Sequence, residues 1–438
     1  MAGSGLGEQS PERLTSIEIC AGAGGQAVGL HQAGFQHLAL VEWDPHAVAT
    51  LRANAVKWPG WTEQKAARLA PQDVNEFLTS EQFKELPDDG FGKIDLFAGG
   101  VPCPPFSLAG KQLGPDDDRD LFPAALKIID RLRPRAIMIE NVRGILEPPG
   151  VFIEYRRWIL EQLREMGYAV PEINPDWPVE RQDWEMRKVW RRVDAADFGV
   201  PQLRPRAILV AIHKDHMNGQ EFTWPQGIEG SAETLQEALE SSMKERYLPY
   251  WERSPVESGK TGEEAFEAWR KKAGRSAIAP TLVGGSKKHG GADLGPTRAK
   301  RAWAHLGVDG TGVANDPEDC VPERDLFRPD GPMLTVKQAA RVQGFPPDWD
   351  FQGRKTAQYR QVGNAFPPPV AEAIGRAIAA VLRPADQQNL LKGYRLAASG
   401  EVALPPLYGT QEPLDLSLPG ESGTPGDHRS GDLVDAEA

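Results

Sequence analysis

The sequence lacks most of the features that mark disulfide-bonded, secreted or membrane-embedded proteins. Its 438 residues include only three cysteines, Cys20, Cys103 and Cys320, which are far apart and form no Cys-x-x-Cys pair. This spacing argues against a disulfide framework and a zinc site, and it favours a reducing cytoplasm. There is no run of 18 apolar residues, and the first 16 residues contain no apolar signal-peptide core. We therefore expect a cytoplasmic protein without a membrane span or a bound metal.

An overall positive charge, which is common in nucleic-acid-binding proteins, is also missing, since the formal net charge is −12. The charges are unevenly distributed, however. Residues 260–301 contain ten Lys and Arg against four acidic residues, whereas residues 396–438 contain eight acidic residues against one Arg. The basic segment is compatible with a nucleic-acid partner. We expect residues 384–438 to form an acidic, largely disordered tail and residues 1–16 a flexible N-terminus.

Short apolar runs alternate with helical patterns, which predicts an α/β fold with a largely parallel sheet covered on both faces. The expected strands are residues 17–20, 38–41, 94–98, 136–139 and 207–212. The expected helices are residues 26–33, 45–54, 122–132, 334–345 and 369–382, and Thr335 is the expected cap of the fourth. Residues 213–331 are rich in Gly, Pro, Trp and charge and show little period. We interpret them as an irregular domain inserted between residues 17–212 and 332–383 of the α/β domain.

A glycine-rich turn and an acidic residue suggest a cofactor that contains a nucleoside. Residues 21–25 (Ala-Gly-Ala-Gly-Gly) lie between the first expected strand and helix, where a backbone without side chains approaches a ligand closely. Glu42 ends the second strand, where a carboxylate can accept hydrogen bonds from ribose hydroxyls. The turn does not fit the Gly-x-Gly-x-x-Gly pattern of dinucleotide-binding proteins.

A second loop carries a candidate nucleophile. Residues 102–107 read Pro-Cys-Pro-Pro-Phe-Ser and follow the third expected strand. Three prolines restrict the backbone around Cys103, and such a rigid turn can present a reactive sulfur. The alternative is a buried, unreactive cysteine.

Taken in order, the segments resemble the motif series of DNA (cytosine-5)-methyltransferases, which use S-adenosylmethionine. The matching segments are residues 19–25, 42–44, 73–74, 102–107, 140–142 (Glu-Asn-Val), 202–206 (Gln-x-Arg-x-Arg), 335–346 and 361–365. Each segment alone is a weak signal, but the ordered set is specific. Cys20 stands where many members carry Phe, and Gln338 stands where Glu is usual.

The resemblance implies a Rossmann-like, S-adenosylmethionine-dependent methyltransferase fold with a mixed sheet and a small, irregular target-recognition domain. It implies that the catalytic residues are Cys103, Glu140, Arg206 and Arg204. It also implies that the cofactor-binding residues are Cys20, Ala21, Gly22, Gly24, Gly25, Glu42, Trp43, Asp73, Val74, Pro102, Leu121, Asn364 and Phe366.

The implied chemistry explains these residue types. C5 of cytosine becomes nucleophilic when the thiolate of Cys103 adds to C6. Glu140 protonates or hydrogen-bonds N3, which requires a raised pKa, and Arg206 stabilises charge at O2. The base that removes the C5 proton, either an ordered water or a side chain, is not identified.

The expected partner is duplex DNA, from which the target base must be flipped out. The expected DNA contacts are Ser107, Lys287, Lys288, Arg298, Lys300 and Arg301. The simplest biological context is a monomeric modification enzyme with a companion restriction endonuclease.

Three alternatives stay open at this point. A tRNA cytosine-5 methyltransferase shares the catalytic framework, although the long 213–331 segment favours a reader of duplex DNA. A nucleotide-dependent oxidoreductase explains the glycine turn and Glu42 but gives no role to residues 102–107. A catalytically inactive DNA-binding protein is disfavoured because Cys103, Glu140 and Arg206 are all present.

Overall fold

The computed structural model describes residues 13–87, 91–102, 120–230, 233–255, 259–274, 278–284 and 292–398. Cys103, Ser107, Lys287 and Lys288 lie outside the described residues, as does the tail beyond residue 398. The strands are β1 (Leu14–Ile19), β2 (Phe35–Val41), β3 (Leu96–Gly100), β4 (Ala136–Val142), β5 (Trp190–Asp194), β6 (Pro205–Ile212), β7 (Pro225–Ile228) and β8 (Tyr394–Leu396).

The helices alternate with the strands in the first half of the chain and follow one another in the second half. They are α1 (Gly25–Gln32), α2 (Pro45–Ala55), α3 (Glu63–Ala67), α4 (Glu81–Lys84), α5 (Phe122–Leu132), α6 (Ile153–Glu165), α7 (Val179–Met186), α8 (Leu235–Tyr247), α9 (Gly262–Ala273), α10 (Thr297–His305), α11 (Pro322–Asp325), α12 (Val336–Val342), α13 (Lys355–Asn364), α14 (Pro368–Leu382) and α15 (Gln387–Leu390).

Six strands form one mixed sheet in the order β2-β1-β3-β4-β6-β5. The four strands β2, β1, β3 and β4 are parallel, whereas β6 runs antiparallel to both β4 and β5. The expected mixed α/β sheet is therefore confirmed. The carboxyl ends of the four parallel strands meet at one edge, where ligands bind in open α/β sheets.

Helices cover both faces of the sheet, as a parallel sheet requires. On one face, Ile17 and Ile19 of β1 pack in an apolar cluster with α5 and α6. On the other face, Leu14 packs in a cluster with α1 and α14. Residues 355–382 are long and apolar enough to cross a membrane, but 78% of their most apolar window is buried inside the protein. Their apolar character is therefore explained by the core.

Residues 213–331 contain more regular structure than their composition predicts, because α8, α9 and α10 lie within them. Helices α8 and α9 each begin with a capping box, formed by Thr234 with Glu237 and by Thr261 with Glu264. This pattern was a usable signal in the sequence. The three helices share one apolar cluster with α2, α12 and α13.

The first and last residues of the α/β domain also differ from the expected boundaries. Strand β1 begins at Leu14, within the segment expected to be flexible. Residues 384–398, which the composition assigned to the disordered tail, include α15 and β8, and β8 pairs with β7. The cap expected at Thr335 is confirmed, since its side chain accepts a hydrogen bond from the backbone of Gln338.

Close contact between α1 and α14 gives the first prediction. A Cβ atom at Gly29 would overlap the carbonyl oxygen of Pro368 and lie 2.6 Å from Cβ of Ala371. Alanine usually stabilises a helix interior by about 1 kcal/mol relative to glycine. Here we expect Gly29→Ala to lower the free energy of unfolding by about 1–3 kcal/mol, because the helices must separate.

Chemical denaturation measures this effect. Gly144→Ala is the matched control, since no described atom lies within 4 Å of its added Cβ. We expect that change to stay within about 0.5 kcal/mol. Stabilisation by Gly29→Ala would show that the two helices are not in tight contact.

Candidate active site

A cavity of about 670 Å³ lies at the carboxyl edge of the parallel strands. Its walls come from segments far apart in the chain, including the ends of β1, β2, β3 and β4 and the C-terminal part of α13. The expected cofactor residues that line it are Cys20, Ala21, Gly22, Gly25, Glu42, Trp43, Asp73, Val74, Pro102, Leu121, Asn364 and Phe366. The expected catalytic residue Glu140 lines the same cavity.

The glycine turn after β1 is shaped by left-handed backbone conformations. Cys20 has φ 50° and Gly22 has φ 54°, and a Cβ built on Gly22 meets no atom of the described residues within 4 Å apart from its chain neighbours. The side of Gly22 that would carry a Cβ atom therefore faces open space. The N–H of Gly22 donates to Oε2 of Glu42 over 2.7 Å. Gly24 is not among the described residues that line the cavity. It caps α1 and packs against Trp349 instead.

The carboxylate of Glu42 is held by the backbone. Besides the bond from Gly22, its Oε1 accepts hydrogen bonds from the N–H groups of Trp43, at 2.9 Å, and Asp44, at 2.8 Å. Burial raises the pKa of Glu42, whereas these three hydrogen bonds oppose the rise. The arrangement fixes a carboxylate at the cavity wall, where it can accept further hydrogen bonds from a ligand.

The next wall of the cavity contains an exposed aromatic ring and a polar turn. The side chain of Trp43 is 73% exposed, so its indole face is accessible to a flat ligand group. Oδ1 of Asp73 accepts a hydrogen bond from the N–H of Asn75 over 2.8 Å and begins the 3₁₀ helix Val74–Thr79. The N–H of Gln72 donates to the carbonyl of Glu42, which ties this segment to the end of β2.

Glu140 and Arg206 form an ion pair beside the cavity. Nε of Arg206 lies 2.8 Å from Oε1 of Glu140, and both side chains are largely buried. Burial raises the pKa of Glu140, and the attraction of Arg206 and Arg204 only partly offsets this effect. A carboxyl group with a raised pKa can donate a proton near neutral pH. The expected role of Glu140 as a proton donor needs a pKa that is shifted upwards.

Asn141 positions the start of the proline-rich loop. Its Nδ2 donates a hydrogen bond to the carbonyl of Val101 over 2.7 Å. This contact fixes the chain immediately before Pro102, the last described residue on this side of Cys103. The side chain that follows Glu140 therefore fixes the described end of the segment that leads to Cys103.

Arg204, like Arg206, is not among the described residues that line the cavity, and its expected catalytic role stays a prediction. Its guanidinium is buried and donates to the carbonyls of Leu282, at 2.7 Å, Gly363, at 2.7 Å, and Ala365, at 2.8 Å. These bonds connect the segment immediately before β6 to the inserted segment and to the end of α13. We infer that Arg204 is a positioning residue.

Three expected DNA contacts are described, and all are on α10. Arg298 and Arg301 are exposed. Nζ of Lys300 instead lies 2.7 Å from a carboxylate oxygen of Asp293. Arg298 and Arg301 are therefore better placed than Lys300 to contact phosphate.

Several cavity residues were not expected from the sequence, and the following three are polar. Glu18, Gln26 and Gln72 line the cavity, and each has buried polar atoms without a hydrogen-bond partner among the described residues. The atoms are both carboxyl oxygens of Glu18 and Nε2 of each glutamine. A charged residue inside the apolar strand β1 was a usable signal for Glu18, whereas nothing in the sequence singles out the glutamines.

Comparisons with known proteins agree with the resemblance seen in the motifs. The family model described as C-5 cytosine-specific DNA methylase matches residues 14–380. Type II methyltransferase M.NaeI of Lentzea aerocolonigenes is 46% identical over 85% of this chain and 76% of its own length. Type II methyltransferase M.NgoMIV of Neisseria gonorrhoeae is 42% identical over 85% of this chain and 99% of its own length.

The contacts of Arg204 give the second prediction. Arg204→Lys keeps the charge but cannot reproduce the fork that reaches three carbonyl groups. We expect the free energy of unfolding to fall by about 2–4 kcal/mol, because buried carbonyls lose their donors. Chemical denaturation measures the change.

Arg192→Lys is the matched control, because Arg192 lies on the neighbouring strand β5 and makes a looser ion pair of 3.8 Å with Glu147. We expect a much smaller effect there. If the two substitutions lowered the free energy of unfolding equally, Arg204 would not be a positioning residue.

Proposed function

This chain belongs to the C-5 cytosine-specific DNA methylase family and is a DNA (cytosine-5-)-methyltransferase, and we propose that it transfers the methyl group of S-adenosylmethionine to cytosine in a specific duplex sequence. One observation carries the proposal: separate motif segments converge on a single cavity beside the Glu140–Arg206 pair. Because its relatives are Type II methyltransferases, we also propose that it acts in the cytoplasm as the monomeric modification enzyme of a restriction-modification system, alongside an endonuclease with the same target.

The cavity suits S-adenosylmethionine by size and charge. Ligand pockets commonly have volumes of about 300–1,000 Å³, a range that includes this cavity. S-adenosylmethionine carries a sulfonium and an ammonium, and the cavity walls include the carboxyl groups of Glu18, Glu42 and Glu140. Glu42 would accept hydrogen bonds from ribose hydroxyls, and Trp43 and Asp73 would contact the adenine. When bound, this cofactor supplies an electrophilic methyl group.

The proposed reaction begins on the cytosine ring, after the target base has been flipped out of the duplex. The thiolate of Cys103 forms a bond to C6, and the electron pair of the C5–C6 double bond becomes available at C5. Glu140 donates its proton to N3, while Arg206 stabilises negative charge at O2. The contact between Glu140 and Arg206 supports this division of roles, because it holds the guanidinium of Arg206 next to a side chain of the cavity wall.

The reaction ends when a base removes the proton from the methylated C5. The electron pair of that C–H bond restores the C5–C6 double bond, and the bond between C6 and the sulfur of Cys103 breaks to release the thiolate. N3 then returns its proton to the carboxylate of Glu140. An ordered water or a side chain would serve as the base.

Residues 213–331 are the proposed target-recognition domain. The exposed Arg298 and Arg301 on α10 support a contact with the DNA backbone in this segment. A tRNA cytosine is the alternative substrate. Transfer of a labelled methyl group to duplex DNA, compared with transfer to tRNA, distinguishes the two, and bisulfite sequencing of DNA from cells expressing the chain identifies the methylated sites.

Covalent catalysis gives the third prediction. A duplex that carries 5-fluorocytosine at the target should become attached to the protein in the presence of cofactor, because fluorine cannot leave as a proton. Cys103→Ser should abolish the adduct seen on a denaturing gel. Cys320→Ser is the control and should keep it. An adduct that persists in Cys103→Ser would place the nucleophile elsewhere.

The raised pKa of Glu140 gives the fourth prediction. Protonation of N3 requires the neutral acid, so the single-turnover rate should fall as pH rises through the pKa of Glu140. Glu140→Gln keeps a hydrogen bond but has no proton to donate. We expect its rate to be about 10²–10⁴-fold lower and to lose this dependence on pH.

Rapid-quench measurements across the pH range test this prediction. Glu147→Gln is the control, since Glu147 is on the connection after β4 and is not among the described residues that line the cavity. If Glu140→Gln kept the pH dependence of the unchanged protein, another group would be the acid.

A further inference from the structure

A buried contact between Tyr155 and Asp120 joins helix α6 to the start of helix α5. The hydroxyl oxygen of Tyr155 lies 2.6 Å from each carboxylate oxygen of Asp120, and both residues are buried. Oδ1 of Asp120 also accepts a hydrogen bond from the N–H of Phe122 over 3.0 Å. That N–H is in the first turn of α5, where the helix itself supplies no acceptor. Asp120 therefore attaches the first turn of α5 to α6.

Aromatic rings hold the phenol of Tyr155 in place. Its ring packs edge-on against Phe122, with 5.7 Å between the ring centroids, and it also contacts Phe152 and Trp158. Phe122 packs in turn against Trp190 of β5. Because these neighbours already fix the ring, the hydroxyl loses little conformational freedom when it binds Asp120.

Leu121 connects this contact to the cavity. It lies between Asp120 and Phe122 in the chain, and its side chain lines the cavity. Neither Asp120 nor Tyr155 is among the described residues of the cavity wall. The two residues therefore support the wall without forming part of it, and a displacement of residues 120–122 would move Leu121.

The described chain on either side of residues 103–119 is held by a polar side chain. Before this segment, Nδ2 of Asn141 donates to the carbonyl of Val101 over 2.7 Å. After it, the hydroxyl of Tyr155 binds Asp120. One side chain comes from β4 and the other from α6, so both belong to the α/β domain. Together they fix the two points at which the segment with the candidate nucleophile joins the described chain.

We propose that Tyr155 is a positioning residue for methyl transfer and that it acts through Asp120. The hydroxyl of Tyr155 holds the carboxylate of Asp120, and this carboxylate holds the first turn of α5. That turn places Leu121 at the cavity and fixes the described end of the chain that leads back from Cys103. The inference rests on the proposed methyl transfer, and it adds two residues outside the motif positions matched above.

A purely structural role is the alternative, and Tyr168 offers a matched control for it. Tyr168 is also buried, and its hydroxyl donates to the carbonyl of Pro134 over 2.7 Å. Since Pro134 precedes β4, this contact lies at the amino end of the strand, away from the cavity at its carboxyl end. Tyr155→Phe and Tyr168→Phe each keep the ring and remove one buried hydroxyl, but only Tyr155 is linked to the cavity wall.

Single-turnover methyl transfer at saturating cofactor separates the two roles. We expect Tyr155→Phe to lower the rate about 10- to 100-fold, because a small displacement of positioned groups slows a reaction strongly. Tyr168→Phe should keep a rate close to that of the unchanged protein. Both substitutions should lower the free energy of unfolding in chemical denaturation, because each removes a buried hydrogen bond. Loss of stability alone therefore does not predict the loss of rate.

Substitutions of Asp120 test whether Tyr155 acts through this residue. Asp120→Asn keeps an oxygen that can accept from both Tyr155 and the N–H of Phe122, so it should retain most of the rate. Asp120→Ala removes the acceptor and should lower the rate at least as much as Tyr155→Phe does. Adding Tyr155→Phe to Asp120→Ala should cause no further loss, because the interaction between the two residues is already absent.

Three results would contradict this proposal. An unchanged rate in Tyr155→Phe, or equal losses of rate in Tyr155→Phe and Tyr168→Phe, would leave Tyr155 with a structural role alone. Independent losses that multiply in the double variant would show that Tyr155 does not act through Asp120. If the unchanged protein transferred no methyl group to duplex DNA, the proposed function itself would be wrong, and this inference with it.

Discussion

The site depends on a buried polar contact in which Gln202 and Arg204 bind two distant stretches of backbone. Oε1 of Gln202 accepts the N–H of Leu282 over 2.6 Å, and Nη1 of Arg204 donates to the carbonyl of the same residue. Arg204 also binds the carbonyls of Gly363 and Ala365 at the end of α13, where a helix leaves its last carbonyls without partners. Since Asn364 lines the cavity, the contact that orients the inserted segment also fixes a wall of the candidate active site.

Three glutamates of the cavity wall have the same side chain but different hydrogen-bond partners, and we therefore expect them to have different roles. Glu42 is bound by three backbone N–H groups, Glu140 by Arg206, and Glu18 by no described residue. Burial raises the pKa of all three. The unmatched polar groups reduce the stability of the free protein, which is the usual cost of a site prepared for a ligand. A cationic ligand would therefore supply hydrogen-bond partners that the carboxyl groups of the cavity lack in the free protein.

The sequence predicted the parts of the fold that depend on local pattern. Alternating apolar runs located β1 to β4 and β6, and the carboxyl ends of parallel strands necessarily gather the motif residues at one edge. Strand β5 was missed because Arg191 and Arg192 interrupt its apolar pattern, and α8 and α9 were missed although their capping boxes were readable. The role of Arg204 was not accessible, because it depends on carbonyl groups about 80 and 160 residues away in the chain. Glu18 was readable as an anomaly in a strand, but its burial and its lack of a partner among the described residues were not.

A second contact attaches the inserted segment in the same way and explains a departure from the family pattern. Oε1 of Gln338 accepts a hydrogen bond from Arg246 of α8 over 2.7 Å, and its Nε2 donates to Ser242 over 3.1 Å. Arg246 also donates to the carbonyls of Met333 and Asp325. The terminal nitrogens of both buried arginines thus donate to neutral oxygens, whereas their Nε atoms have no partner among the described residues. Such buried contacts are screened little by salt. The phosphate contacts proposed above for the exposed Arg298 and Arg301 would be screened by salt instead. The contacts that attach the inserted segment are therefore less sensitive to salt than the proposed phosphate contacts.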